Sequence, residues 1–127
     1  MSVSPRSLQL LSVVIPAQNE EGCIAATVEH LHVELRLRGV PHEIVVVDDG
    51  STDRTWKILR QQGEAIPQLR PIQNAGENGF GRAIQQGLDA ASGDAVVIMM
   101  ADESDDCRDK NSLLIVVIGQ WVCISSI

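Results

Sequence analysis

Apolar runs and stretches of helical period alternate along this chain. Leu10 to Ile15 reads as a buried strand closed by Pro16. Ile24, Val28, Leu31 and Leu35 then recur at helical spacing, with Asn19 as the expected cap and Gly39 and Pro41 ending the helix. A second strand spans Glu43 to Val47. The next helix carries Trp56, Ile58 and Leu59, is capped by Ser51 or Thr52, and stops near Gly63. Leu69 to Ile72 predicts a short third strand, followed by a glycine-rich loop from Asn74 to Gly81. A third helix over Arg82 to Ala91 buries Ala83, Ile84, Leu88 and Ala91, and Ala95 to Met100 forms a fourth strand. Strands alternating with helices imply an α/β fold, a mostly parallel sheet with helices on both faces.

The last residues change character. No charged side chain follows Lys110, and Leu113 to Ile118 reads as a strand or an exposed apolar end. At fifteen residues, the apolar stretch from Leu113 to Ile127 is too short for a membrane span. The start of the chain is expected to lead into the first strand and not to act as a secretion signal.

Composition narrows the function. The 127 residues suffice for one domain with a real core, and 44% hydrophobic with 21% charged residues is the balance of a soluble globular protein. A net charge of -7 leaves no basic stripe for nucleic acid. Two Trp, one Phe and no Tyr leave little for a stacking platform. Cys23, Cys107 and Cys123 lack metal-ligand spacing and are expected to be free thiols in a reducing compartment. His30, His32 and His42 have no partner at ligand spacing, and a surface or groove role is expected for each.

The second strand delivers Asp48 and Asp49, then Gly50-Ser51-Thr52-Asp53, to the carboxyl edge of the sheet, where ligands of open α/β folds bind. Two adjacent carboxylates need something to repay their desolvation: ligand hydroxyls or amides, a cation, or a helix N-terminus. Pro16 to Glu20 and Ala101 to Asp106 leave the same edge. Together these loops gather carboxylates suited to a divalent cation that holds a diphosphate. Gly76-Glu77-Asn78-Gly79-Phe80-Gly81 permits close backbone approach, and Arg82 opens the next helix near any phosphate. The loop fits neither the dinucleotide fingerprint nor a P-loop.

Taken in order, Ser12 to Glu21, Val46 to Asp53, Asn78 to Ile84 with Gly87-Leu88, and Ala91 to Asp94 leading to Met99–Asp106 make a specific combination. With these motifs the chain resembles family 2 glycosyltransferases of the GT-A (Rossmann-like) fold, in particular their dolichyl-phosphate mannosyltransferase-like branch. The resemblance covers roughly residues 10 to 109. It implies a nucleotide-sugar-binding domain over 1–110, incomplete at its C-terminal side, with a divergent apolar tail over 111–127. It further implies that Pro16, Ala17, Asn19 and Glu20 line the nucleoside pocket and that Asp48 and Asp49 contact base and ribose, with Asp48 on the base. The family's Asp-x-Asp metal motif falls on Met100-Ala101-Asp102, so Asp102 alone is left to hold Mg²⁺ or Mn²⁺. A thioether at Met100 is a poor ligand for either ion. The implied reaction transfers sugar from a nucleotide-diphosphate donor to an acceptor such as a polyprenyl phosphate, in the cytoplasm and peripheral to a membrane. An alternative is a non-catalytic nucleotide-sugar-binding remnant. A signalling receiver-like domain is disfavoured, because Asn74 stands where its phosphoacceptor aspartate belongs.

Overall fold

The computed structural model describes residues 10–74, 76, 79–93 and 95–100, together with the backbone of 113–118 and 121–126; the side chains of Phe80 and Met100 are not described. The elements are β1 (Leu11–Ala17), α1 (Ile24–Leu37), β2 (His42–Asp48), α2 (Thr55–Ala65), β3 (Leu69–Gln73), α3 (Phe80–Ala90), β4 (Ala95–Met100), β5 (Leu113–Ile118) and β6 (Trp121–Ser126). They form one sheet in the order β3-β2-β1-β4-β5-β6. The first four strands are parallel to their neighbours, and β5 and β6 add on antiparallel. The apolar segment at Leu113 is thus a strand hydrogen-bonded to β4. The strand β6 was not expected from the sequence.

Strand period two divides the core. Val13, Ile15, Ile44 and Val46 face α1 and α2, where Ile24, Val28 and Leu59 meet them, with Leu31 and Leu35 half-buried at the margin. Val14, Val45, Val47 and Ile98 face α3, meeting Ala83, Ile84 and Leu88. β2 is buried along its whole length, as expected for a parallel strand covered on both faces. Chain order runs outward from β1 through β2 to β3, then returns to place β4 on the other side of β1. The direction therefore reverses between β1 and β4, and their carboxyl ends flank the crevice used by ligands in open α/β sheets.

The helix starts differ from expectation. α1 begins at Ile24 behind Cys23, with no side-chain cap; Asn19 is engaged elsewhere, as described below. α2 begins at Thr55, and Asp53, not Ser51 or Thr52, accepts the Thr55 N–H at 2.9 Å and its hydroxyl. Pro16 does not close β1, which runs through it to Ala17. Cys23 is disulfide-bonded, which corrects the expectation of three free thiols; its partner's side chain lies outside the described residues. Two of the three histidines pair. His42 Nδ1–H donates to the Val40 carbonyl at 2.8 Å, so its Nε2 accepts from His32 Nδ1–H, also at 2.8 Å. Burial first, then His42 and Arg36, lower the His32 pKa.

Gly87 lets α3 approach the sheet. A Cβ there would lie 2.3 Å from Val14 Cγ1 and 3.3 Å from Val47 Cγ2, both on fully buried side chains. Gly87→Ala is expected to destabilise by about 1 to 3 kcal/mol through overpacking, outweighing the helix propensity it gains. Gly81→Ala, with open space around its Cβ, is the matched control. Thermal melts of the two variants should move in opposite directions.

Candidate functional site

The carboxyl ends of β1, β2 and β3 lie in register, Ala17 opposite Asp48 and Asp48 opposite Gln73. Backbone bonds extend the ladder past the strands, from Asp49 N–H to the Ala17 carbonyl at 2.8 Å and from Asn74 N–H to the Asp48 carbonyl at 2.9 Å. The two aspartates are therefore consecutive on an extended chain, and they point to opposite faces of the sheet. Asp48 continues the face of Ile44 and Val46; Asp49 continues that of Val45 and Val47.

Each carboxylate has its own compensation. Asp48 is fully buried, and its Oδ1 accepts the N–H and the hydroxyl of Ser51. Its Oδ2 is buried with no hydrogen-bond partner among the described residues. Such an atom costs about 1 to 3 kcal/mol, so it needs an explanation. Asp49, 7% exposed, receives Asn74 Nδ2 at 2.9 Å and shares the Gly79 N–H between its two oxygens at 3.2 and 3.1 Å. Gly79 is the N-cap of α3. Of the compensations open to these carboxylates, Asp49 thus uses a helix N-terminus. That terminus, expected to face a phosphate, is already held by a carboxylate.

The loops after β1 and β2 are laced together. Asn19 N–H donates to Ser51 Oγ at 2.9 Å, and Asn19 Oδ1 accepts the Thr52 N–H at 2.8 Å. Glu20 N–H donates to Thr55 Oγ1 at 2.8 Å, and Glu21 N–H to Asp53 Oδ2 at 3.2 Å. Arg54 N–H returns a bond to Glu21 Oε2 at 3.3 Å. Asn19 adopts φ 53, a left-handed conformation that asparagine tolerates better than other residues with side chains. Burial would raise the Asp53 pKa, but its bonds from Thr55 and Glu21 outweigh that and lower it. Because Asn, Ser, Thr and Asp are common in any polar turn, their density in 19–20 and 51–55 was the only sequence signal of this lacing.

Of the residues singled out from sequence, Pro16, Ala17, Asn19, Glu20, Asp48 and Asp49 come together at this edge. The Ala17 methyl belongs to the core, and the Asn19 amide is engaged by Thr52. Arg82 is exposed on the first turn of α3. Asp102, with the whole stretch 101–112, lies outside the described residues. Met100 ends β4, its Cα opposite Leu113. Among the described residues no group of three His, Cys, Asp or Glu could hold a metal ion.

The model of the family "Glycosyl transferase family 2" matches residues 12–113. The chain belongs to glycosyl transferase family 2. A dolichol-phosphate mannosyltransferase of Pyrococcus furiosus is 38% identical over 94 residues, 72% of this chain and 25% of the relative. An undecaprenyl-phosphate 4-deoxy-4-formamido-L-arabinose transferase of Edwardsiella ictaluri is 33% identical over 76% of this chain and 30% of its own. The family 2 chain thus spans between a quarter and a third of the length of these curated relatives. Among solved structures, a mannosyltransferase from Pyrobaculum calidifontis in complex with GDP-Man and Mn²⁺ superposes with a TM-score of 0.63 at 29% identity. That match covers 72% of this chain and 27% of the mannosyltransferase. The fold is GT-A, as the family resemblance implied. Among the described residues no helix of this family 2 chain is long and apolar enough to cross a membrane.

Proposed function

We propose that the chain is the donor-binding part of a glycosyltransferase that moves a sugar from a nucleotide diphosphate to a polyprenyl phosphate. The observation that carries this reading is Asp48 Oδ2, a buried acceptor without a partner at the ligand edge of the sheet. Uracil and guanine both present ring N–H donors that would satisfy it. Asp48 is closed to solvent, so a base reaches it only when neighbouring backbone gives way; Gln18 and Asn19 beside it are exposed. Ala17 and Asn19, whose side chains are engaged, would line the nucleoside through their backbone, with Pro16 and Glu20 beside them. Asp49 keeps acceptor capacity on Oδ2 for a ribose hydroxyl.

In the proposed transfer a phosphate oxygen of the acceptor attacks the anomeric carbon. The bond from that carbon to the diphosphate breaks, and the nucleoside diphosphate leaves. A phosphate acceptor is already ionised at neutral pH, so no side-chain base is required. The names of the two curated relatives support a polyprenyl-phosphate acceptor, and with it a protein peripheral to a membrane surface. Residues 1–110 would form the donor domain, with 111–127 as a divergent apolar tail.

A second reading, a nucleotide-sugar-binding protein without transfer activity, is favoured by Met100 in place of an oxygen ligand. Calorimetric titration of the chain with UDP and GDP, with and without Mn²⁺, separates the two. Binding that needs Mn²⁺ is expected if Asp102 holds the cation and the donor site works. Binding indifferent to Mn²⁺ supports the second reading, and a folded chain that binds neither nucleotide overturns both.

A further inference from the structure

Asn74 closes a short relay between the interior of α3 and the aspartate pair. Its Oδ1 accepts two N–H donors, Gly76 N–H at 3.1 Å and Gln86 Nε2 at 2.8 Å. A backbone N–H only donates, so the Asn74 oxygen must face Gly76 and Gln86, and Nδ2 is left to donate to Asp49 Oδ1 at 2.9 Å. The same logic fixes Gln86. Turned over, it would set Oε1 against Asn74 Oδ1; in the observed orientation Oε1 is instead buried without a partner among the described residues. Leaving a buried carbonyl oxygen unmatched is costly, and the arrangement accepts that cost while holding Asn74 in place. At the far end, Asp49 anchors Gly79 N–H at the start of α3.

We infer that Gln86 is a positioning residue for the donor site: through Asn74 it orients Asp49 and ties the glycine loop to the sheet, and so sets nucleotide affinity. The inference rests on the donor-site reading above. It assigns a role to a helix residue two turns from the ligand edge, in no motif of the sequence. Hydrogen bonds to charged groups are the stronger ones, and the relay ends on such a bond, from Asn74 Nδ2 to the Asp49 carboxylate.

Gln86→Glu tests it in the full chain. Once ionised, the introduced carboxylate cannot donate to Asn74 and sets an oxygen against Asn74 Oδ1, while Gly76 N–H and the Asp49 carboxylate still hold Asn74 in its original sense. The relay therefore breaks at its first link, and Asn74 loses the bond that fixes it under Asp49. Affinity for UDP or GDP is expected to fall about tenfold at pH 8. It should recover between pH 8 and pH 5 as the introduced carboxylate takes up a proton and donates again. Gln86→Met, of similar volume, should lose affinity without recovering. Hydrogen exchange at Gly79 reads the relay with no nucleotide present, and protection there should fall in Gln86→Glu at pH 8. Wild-type binding with unchanged affinity and unchanged Gly79 protection in Gln86→Glu overturns the relay and leaves the donor site standing. If the wild type binds neither nucleotide, the donor-site reading and the affinity claim fall together. Gly79 exchange then decides whether the relay orders the loop.

Discussion

Glu43→Ala is expected to cost about 3 to 5 kcal/mol of unfolding free energy, the largest effect of any single substitution considered, with a fall in Tm of about 10 °C or more. Glu43 is the second residue of β2, opposite Ser12, and is only 6% exposed. Its Oε2 accepts the Ser12 hydroxyl at 2.5 Å, the Ser92 N–H at 2.7 Å and the Ser92 hydroxyl at 3.1 Å. Its Oε1 meets Arg70 Nη1 at 2.8 Å, and that guanidinium also donates to the Ala90 carbonyl at the end of α3. One carboxylate thus joins β1, β2, β3 and the turn after α3. Removing it strands a buried hydroxyl and a backbone N–H, which costs more than the ion pair contributes, because Arg70 is half-exposed and rehydrates. Burial alone would raise this carboxyl's pKa; the bonds from Ser12, Ser92 and Arg70 outweigh it and hold it at about 2, against an ordinary 4.5. With the folded value depressed, the contribution is complete above about pH 4.5 and is lost as pH falls through about 2. Denaturant midpoints of wild type and variant should therefore differ widely at about pH 7 and converge near pH 2. A constant difference would mean that Glu43 acts through packing and not through its charge.

Much of this architecture was legible because it rests on patterns of period two and 3.6. The continuous apolar run of β2, the alternation that sends Val46 and Val47 to opposite cores, and the helical face of Ile24, Val28, Leu31 and Leu35 are read directly from residue order. The end of the β2 apolar run likewise placed the aspartate pair at the ligand edge of the sheet. Long-range polar pairings were not legible. Nothing in the sequence says that Glu43 finds Ser92, that Asn19 caps the loop after β2 and not its own helix, or that Gln86 reaches Asn74. These contacts span between 12 and 49 positions and depend on where the backbone brings short side chains, which no local periodicity encodes. Helix starts failed for a related reason. Ser51, Thr52 and Asp53 are all competent caps, but bonds to Asn19 and Glu21 engage them, and α2 starts behind Arg54 with no side-chain cap.

Asp48→Asn is expected to weaken binding of UDP or GDP by about 100-fold while leaving the fold intact, the largest functional effect in the chain. The two halves of that statement have separate causes. Ser51 presents an N–H and a hydroxyl to Oδ1, so an asparagine side chain there must keep its carbonyl oxygen in that place, and the loop retains its bonds. Its NH₂ then occupies the place of Oδ2, turning the one buried unpartnered acceptor that the described residues place at this edge into a donor. A ring N–H arriving from uracil or guanine would meet a donor where it met a carboxylate. The charge that strengthened the contact is also gone. Asp49→Asn should do less to the base, because Asp49 already receives Asn74 and Gly79. Titration of both variants beside wild type checks the order: a larger loss from Asp48→Asn than from Asp49→Asn places the base on Asp48. Equal affinity in wild type and Asp48→Asn would mean that Oδ2 is an uncompensated cost of folding, and that any nucleotide sits elsewhere along the sheet edge.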